Sequence, residues 1–184
     1  VLKRHGADAL EVHDDGAGIP AEQLEQLALR HTTSKLRRFD DLGQLRSYGF
    51  RGEALSSLAA LSTLSVSTRT AADAVGTLVT FERNGAVASR TAVAREVGTT
   101  VTVTNLFEPF PVRRSELLRN ARLEQQRVVA ALEAYAIAAY SIRFSCVAHA
   151  APKAGKAASA AGSGSGRLLQ TEAAGQRAAI GSIF

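Results

Sequence analysis

From Ala7 to His13 the chain alternates apolar and polar side chains around Leu10 and Val12, then runs into Asp14-Asp15-Gly16-Ala17-Gly18. A period of two ending at an acidic, glycine-rich segment predicts a strand that stops in a tight turn. Pro20 suits a first helical position, and Leu24, Leu27 and Ala28 recur at i, i+3 and i+4, so a short helix is predicted up to Arg30. A second helix is predicted over Gly52 to Ala60, with its glycines at the N-terminal end. Leu64 to Arg69, Thr77 to Glu82 and Ala86 to Thr91 each alternate and read as strands. Asn84-Gly85, between the last two, is the signal of a type I′ hairpin turn. Thr99 to Leu106 is strongly β, and Arg113 to about Tyr140 carries Leu117, Leu118, Leu132, Tyr135 and Ala139 along what reads as one long helix. Ile142 to Val147 returns as a strand.

This order predicts an α/β fold with mixed layers and no strictly alternating parallel sheet. Residues 152–166, "PKAGKAASAAGSGSG", hold nothing to bury and read as a flexible loop. Residues 167–184 then form a C-terminal part whose amphipathic end, Ala173 to Phe184, is predicted as a helix leading out of the domain.

With 184 residues, 46% of them apolar and 21% charged, the chain is long enough to bury a core, which excludes wholesale disorder. The single cysteine, Cys146, has no internal partner, and no signal-like segment opens the sequence, so a reducing intracellular setting is expected. The most apolar stretch, Ala130 to Ala150, is interrupted by Glu133, Arg143 and His149, and no membrane span is predicted. The net charge of +5 permits a polyanionic partner, but the basic residues are scattered and do not identify one. With no methionine and Val1 as its first residue, the chain is expected to be an internal piece of a longer protein.

Two segments carry candidate chemistry. Gly49-Phe50-Arg51-Gly52-Glu53-Ala54-Leu55 opens the second predicted helix. Unpaired N–H groups there, beside the positive end of the helix dipole, suit an anion such as a phosphate, although glycines at that place also serve as plain helix caps. Asp14, with Gly16 and Gly18 following, sets a carboxylate beside a floor without side chains. It suits an exocyclic amine as acceptor, or simply closes an Asx turn.

Taken in order, "DDGAG" at Asp14, "HTTSK" at His31, "YGFRGEAL" at Tyr48 and "GTTVTV" at Gly98 resemble the ATP-binding motifs shared by the gyrase, Hsp90, histidine kinase and MutL group. "TSK" with "GFRGEAL" at this spacing is similar to the MutL family of DNA mismatch repair, as is "PVRR" at Pro111 to Arg114. "VGT" at Val75, "AYAIAAYSIRFSC" at Ala134 and "IGSIF" at Ile180 look most similar to the eukaryotic postmeiotic-segregation branch of that family. The resemblance implies a two-layer sandwich, a mixed sheet with helices on one face, of the Bergerat type. Residues 1–151 would be a partial ATP-binding domain. It also implies that Asp14 reads adenine, that Gly16 and Gly18 make room for the base, and that Thr99 supports Asp14 through a hydroxyl and ordered water. Thr33, Ser34 and Lys35 would belong to a lid over the nucleotide. The amides of Gly49, Phe50, Arg51, Gly52, Glu53, Ala54 and Leu55 would wrap the phosphates, with Arg51 and Glu53 fixing the loop's shape.

By the same resemblance, the intact protein would be an ATPase that uses ATP and Mg²⁺. Binding would order the lid and dimerise the N-terminal regions around double-stranded DNA, and slow hydrolysis would reset them. Its partners would be a second MutL-homologue subunit and MutS homologues, in the nucleus. A nucleotide-free scaffold for subunit contact is the alternative. The family's catalytic Glu and Mg²⁺-holding Asn would lie upstream of Val1, and a γ-phosphate lysine beyond Phe184. The segment alone is therefore expected to be inactive, with no catalytic or metal residue of its own. Asp15 stands where the family usually has Asn, adding a negative charge near the triphosphate. Arg119 and Arg122, expected to share one helical face close to Arg114, are candidates for DNA phosphate contact, or else part of a solvated helix start in which "PVRR" serves local structure.

Overall fold

The computed structural model describes residues 1–30, 32, 52–150 and 165–173. The elements in chain order are β1 (Leu2–Lys3), β2 (Ala9–Asp14), α1 (Ala54–Leu61), β3 (Thr63–Arg69), β4 (Gly76–Phe81), β5 (Val87–Val93), β6 (Gly98–Thr104), α2 (Pro111–Arg119), α3 (Ala121–Ala138), β7 (Ser145–His149) and β8 (Ser165–Gln170). They fall into two compact units, Glu11–Pro111 and Val1–Leu10 with Val112–Phe184.

In the unit Glu11–Pro111 the strand order is β5-β4-β3-β6-β2. β3 lies antiparallel to β4 on one side and β6 on the other, so Val66 stands opposite both Val79 and Val101. The alternation read in the sequence is the alternation of burial: Leu64, Val66 and Thr68 are buried, while the residues between them are partly exposed. Leu64, Val66 and Val79 are wholly excluded from solvent, and each contributes about 1.5–3 kcal/mol through apolar burial. Helix α1 is alanine-rich and short. It ends at Ser62, whose backbone is extended (φ −152°, ψ 179°) and whose hydroxyl donates to the Leu58 carbonyl.

The segment 20–30 is not the predicted α-helix. Ala21–Gln23 forms a 3₁₀ turn, and the chain continues with i→i+3 bonds from Gln26 to Gln23, Leu27 to Leu24 and Leu29 to Gln26. The apolar spacing was read correctly, since Leu24 and Ala28 are buried. An i, i+3 repeat fits either winding, and here the tighter one is adopted.

The β4–β5 hairpin is present, but its turn is not type I′, which needs positive φ at both central residues. Among the loop residues only Gly85 has it (φ +88°). The Gly85 N–H donates to the Glu82 carbonyl and the Glu82 N–H to the Ala86 carbonyl, the pattern of a three-residue loop with a glycine bulge. A Cβ on Gly85 would fall on the Ala28 carbonyl oxygen, so this glycine is also where the hairpin meets the 20–30 segment.

In the second unit the order is β2-β1-β7-β8. β1 is antiparallel to β2 and parallel to β7, and β7 is antiparallel to β8, so the predicted mixed sheet is present. Its core joins Leu2, Cys146 and Leu169, with Leu10, Val128 and Leu132 packed against them. Burial pushes the Cys146 thiol above its usual range, which keeps this free cysteine in its unreactive form.

The predicted single helix over 113–140 is two helices. α2 stops at Arg119, and Asn120 (φ −103°, ψ 14°) separates it from α3. The predicted loop 152–166 also needs correction at its far end: residues 151–164 lie outside the described residues, and Ser165 and Gly166 already pair with His149 and Ala148 in β8. That strand's period is broken by a bulge, with Cys146 opposite Leu169 and Val147 opposite Arg167, so Leu168 is the extra residue. The helix predicted from Ala173 falls, over 174–184, outside the described residues. Among the described residues no helix is long and apolar enough to cross a membrane.

Candidate functional site

Asp14 is the last residue of β2, and its exposed side chain turns back on its own chain. Its Oδ1 accepts the Gly16 N–H at 3.0 Å and the Thr99 N–H at 3.2 Å. The Asx turn weighed as the plain reading is therefore present, but the second donor comes from β6, which makes the carboxylate a junction between two strands. Its other oxygen, Oδ2, has no hydrogen-bond donor among the described residues. A carboxylate with one oxygen anchored by two N–H groups and the other available is a fixed acceptor.

Three glycines shape this corner. A Cβ on Gly16 would lie 2.9 Å from Asp14 Oδ1. Gly98, at φ +131°, would drive a Cβ onto the Asp14 carbonyl oxygen, and Gly18, at φ +77°, onto the Arg69 carbonyl. Glycine is thus required at positions 18 and 98 both by backbone conformation and by contact.

Sequence reading missed Thr68, because a threonine on a strand carries no signal of its own. It is 2% exposed. Its hydroxyl accepts the Ile19 N–H at 2.8 Å, donates to the Gly98 carbonyl at 3.1 Å and lies 3.3 Å from the Thr99 hydroxyl. The register of β3 on β6 sets Thr68 directly opposite Thr99. Thr99 reaches Asp14 through its backbone N–H, and its hydroxyl lies 3.3 Å from that of Thr68.

Of the predicted phosphate loop, Gly52, Glu53, Ala54 and Leu55 are described. Gly49, Phe50 and Arg51, with the lid residues Thr33, Ser34 and Lys35, lie outside the described residues. Gly52 has φ +64°, and a Cβ there would meet the Thr32 carbonyl oxygen. This brings the start of α1 against the chain that precedes the lid motif. Glu53 precedes α1 without capping it through its side chain. Ser56 folds its hydroxyl onto the Glu53 carbonyl at 2.9 Å, and the Ser57 N–H donates to the same carbonyl at 2.9 Å.

In the other unit, Arg119 ends α2 and Arg122 lies in the first turn of α3, so the expected common helical face is interrupted at Asn120. Both nevertheless line one cleft of about 610 Å³, together with Arg4 and His5. Arg4 is paired with Asp8 at 3.1 Å.

No family model matches the chain. It is 49% identical over 145 residues to the DNA mismatch repair protein PMS1 of Arabidopsis thaliana, covering 79% of this chain and 16% of that protein. It is 47% identical over 145 residues to the human mismatch repair endonuclease PMS2, covering 79% and 17%. The chain thus spans about a sixth of the length of these curated relatives. Among solved structures, the N-terminal domain of a DNA repair protein superposes with a TM-score of 0.80 at 32% identity, over all of this chain and 49% of that one. The Aquifex aeolicus MutL ATPase domain complexed with ADP has a TM-score of 0.69 at 18% identity, over all of this chain and 58% of that one, which speaks for the fold alone. The mixed sheet, the fold it shares with those domains and the likeness to PMS proteins agree, and the chain belongs to the MutL family of DNA mismatch repair proteins.

Proposed function

We propose that this segment holds the adenine end of an ATP site in a mismatch repair protein whose nucleotide state controls its assembly on DNA. The observation that carries the reading is Asp14, anchored at Oδ1 by Gly16 and Thr99, with no donor to Oδ2 among the described residues. That second oxygen accepts the exocyclic amine of adenine, over a floor kept clear at Gly16 and Gly18. The backbone from Gly49 through Leu55 surrounds the phosphates, and Thr33, Ser34 and Lys35 close over them. Bound ATP supplies the phosphoryl group whose hydrolysis resets the switch, while the residues of this segment bind and orient. Mg²⁺ would arrive with the triphosphate in the intact protein, held largely by phosphate oxygens and water. In the intact protein, ATP orders the lid and joins the N-terminal region to that of a second MutL-homologue subunit around double-stranded DNA, with MutS homologues as upstream partners and the nucleus as the setting.

Guanine presents a carbonyl where adenine presents the amine, which sets two acceptors against each other. Equilibrium titration of the intact protein should therefore give an ATP affinity at least tenfold above that for GTP. Equal affinities would remove the adenine assignment, and binding of neither nucleotide would favour the scaffold alternative.

Arg119 and Arg122 are proposed as phosphate contacts for DNA, a sequence-independent role. Replacing both with Ala should leave ATP affinity unchanged and reduce the magnitude of the salt slope of DNA binding by about one to two units. A slope equal to that of the parent would assign them to the solvated surface.

A further inference from the structure

We propose that Thr68 is a positioning residue for nucleotide recognition, holding the two N–H groups that fix Asp14 in register through a single buried hydroxyl. This rests on the adenine reading above. Gly16 and Thr99, the two donors to Asp14 Oδ1, belong to different stretches of chain, and nothing in the covalent backbone keeps them together. The Thr68 hydroxyl touches both stretches. It accepts the Ile19 N–H at 2.8 Å, on the segment that returns from Gly16, and donates to the Gly98 carbonyl at 3.1 Å, on the peptide that carries the Thr99 N–H.

The proton count makes the arrangement directional. A hydroxyl has one proton and two lone pairs. With its proton on the Gly98 carbonyl and one lone pair on the Ile19 N–H, Thr68 meets the Thr99 hydroxyl, at 3.3 Å, with its remaining lone pair. Thr99 is then the donor of that pair, which leaves its own oxygen with acceptor capacity. Valine, which matches threonine in shape, supplies none of these bonds and leaves the Ile19 N–H and the Gly98 carbonyl without this partner.

The test is equilibrium titration of the intact protein with ATP and GTP for the parent, Thr68→Val, Thr68→Ser and Asp14→Ala, with the thermal midpoint of each recorded. Thr68→Val should bind ATP about tenfold more weakly and lose most of the preference over GTP. Thr68→Ser, which keeps the hydroxyl, should restore both. A purely structural role predicts instead a lower thermal midpoint with an unchanged ATP-to-GTP ratio in the folded protein, and that result overturns the proposal. If Thr68→Val does not fold, Thr68→Ser decides, because loss of the preference in a variant that retains the hydroxyl is equally contradictory. If Asp14→Ala binds ATP as the parent does, the adenine reading itself falls. If Asp14→Ala loses ATP while Thr68→Val keeps both affinity and preference, only the Thr68 proposal falls.

Discussion

Asp14→Asn should weaken ATP binding by about a hundredfold while leaving the fold in place. The substitution is nearly isosteric, and its remaining carbonyl oxygen can still accept the Gly16 and Thr99 N–H groups that hold Asp14 Oδ1 at 3.0 and 3.2 Å. What changes is the other position, where an amide NH₂ replaces the available oxygen Oδ2. It would present a donor to the donor on adenine. Losing a hydrogen bond to a charged acceptor costs roughly 1.5–3 kcal/mol, and two facing donors place the change toward the upper end of that range. The check is ATP affinity by calorimetry together with the thermal midpoint. Affinity within threefold of the parent would show that the carboxylate is only an Asx turn. A large fall in midpoint would show that its place in the β2–β6 junction depends on charge.

The second large effect is on stability. Gly18→Val should destabilise the protein by about 3 kcal/mol, lowering the midpoint of thermal unfolding by about 10 °C. Gly18 sits at φ +77°, where a β-branched residue is strained, and a Cβ there would lie 2.1 Å from the Arg69 carbonyl oxygen at the end of β3. That oxygen is main chain, so relief requires moving a strand end. Gly166→Val is the natural control. Nothing lies within 4 Å of a Cβ there, and its effect should stay within about 0.5 kcal/mol. Comparable midpoints for the two variants would contradict the close approach of the 16–19 turn to β3.

Much of this was legible in the sequence, for physical reasons that differ by element. β3 buries every second residue, so its side chains alternate and the period announces it, whereas β5 is exposed along most of its length and is legible only through its β-forming residues and the hairpin turn before it. The same rule fails at β1, which has two residues, and at β8, where the bulge that leaves Leu168 unpaired destroys the period. The break at Asn120 was invisible because apolar residues continue at helical spacing on both sides of it. The 3₁₀ turn at Ala21–Gln23 was misread because three-residue spacing belongs to both helix types.

For the site, Asp14 with Gly16 and Gly18 could have been a plain turn by residue type, and it was their order with the later motifs that marked them. Nothing marked Thr68, because its importance comes from the register that sets it opposite Thr99. No local pattern records a cross-strand partner 31 residues away.

The central claim, that Asp14 reads adenine, is tested most directly by a crystal structure of the intact N-terminal region with ADP. The expected result is the adenine exocyclic amine at about 2.9 Å from Asp14 Oδ2, with Oδ1 still held by the Gly16 and Thr99 N–H groups and the base lying over Gly16 and Gly18. ADP bound elsewhere, or bound with its base out of hydrogen-bond reach of Asp14, would contradict it.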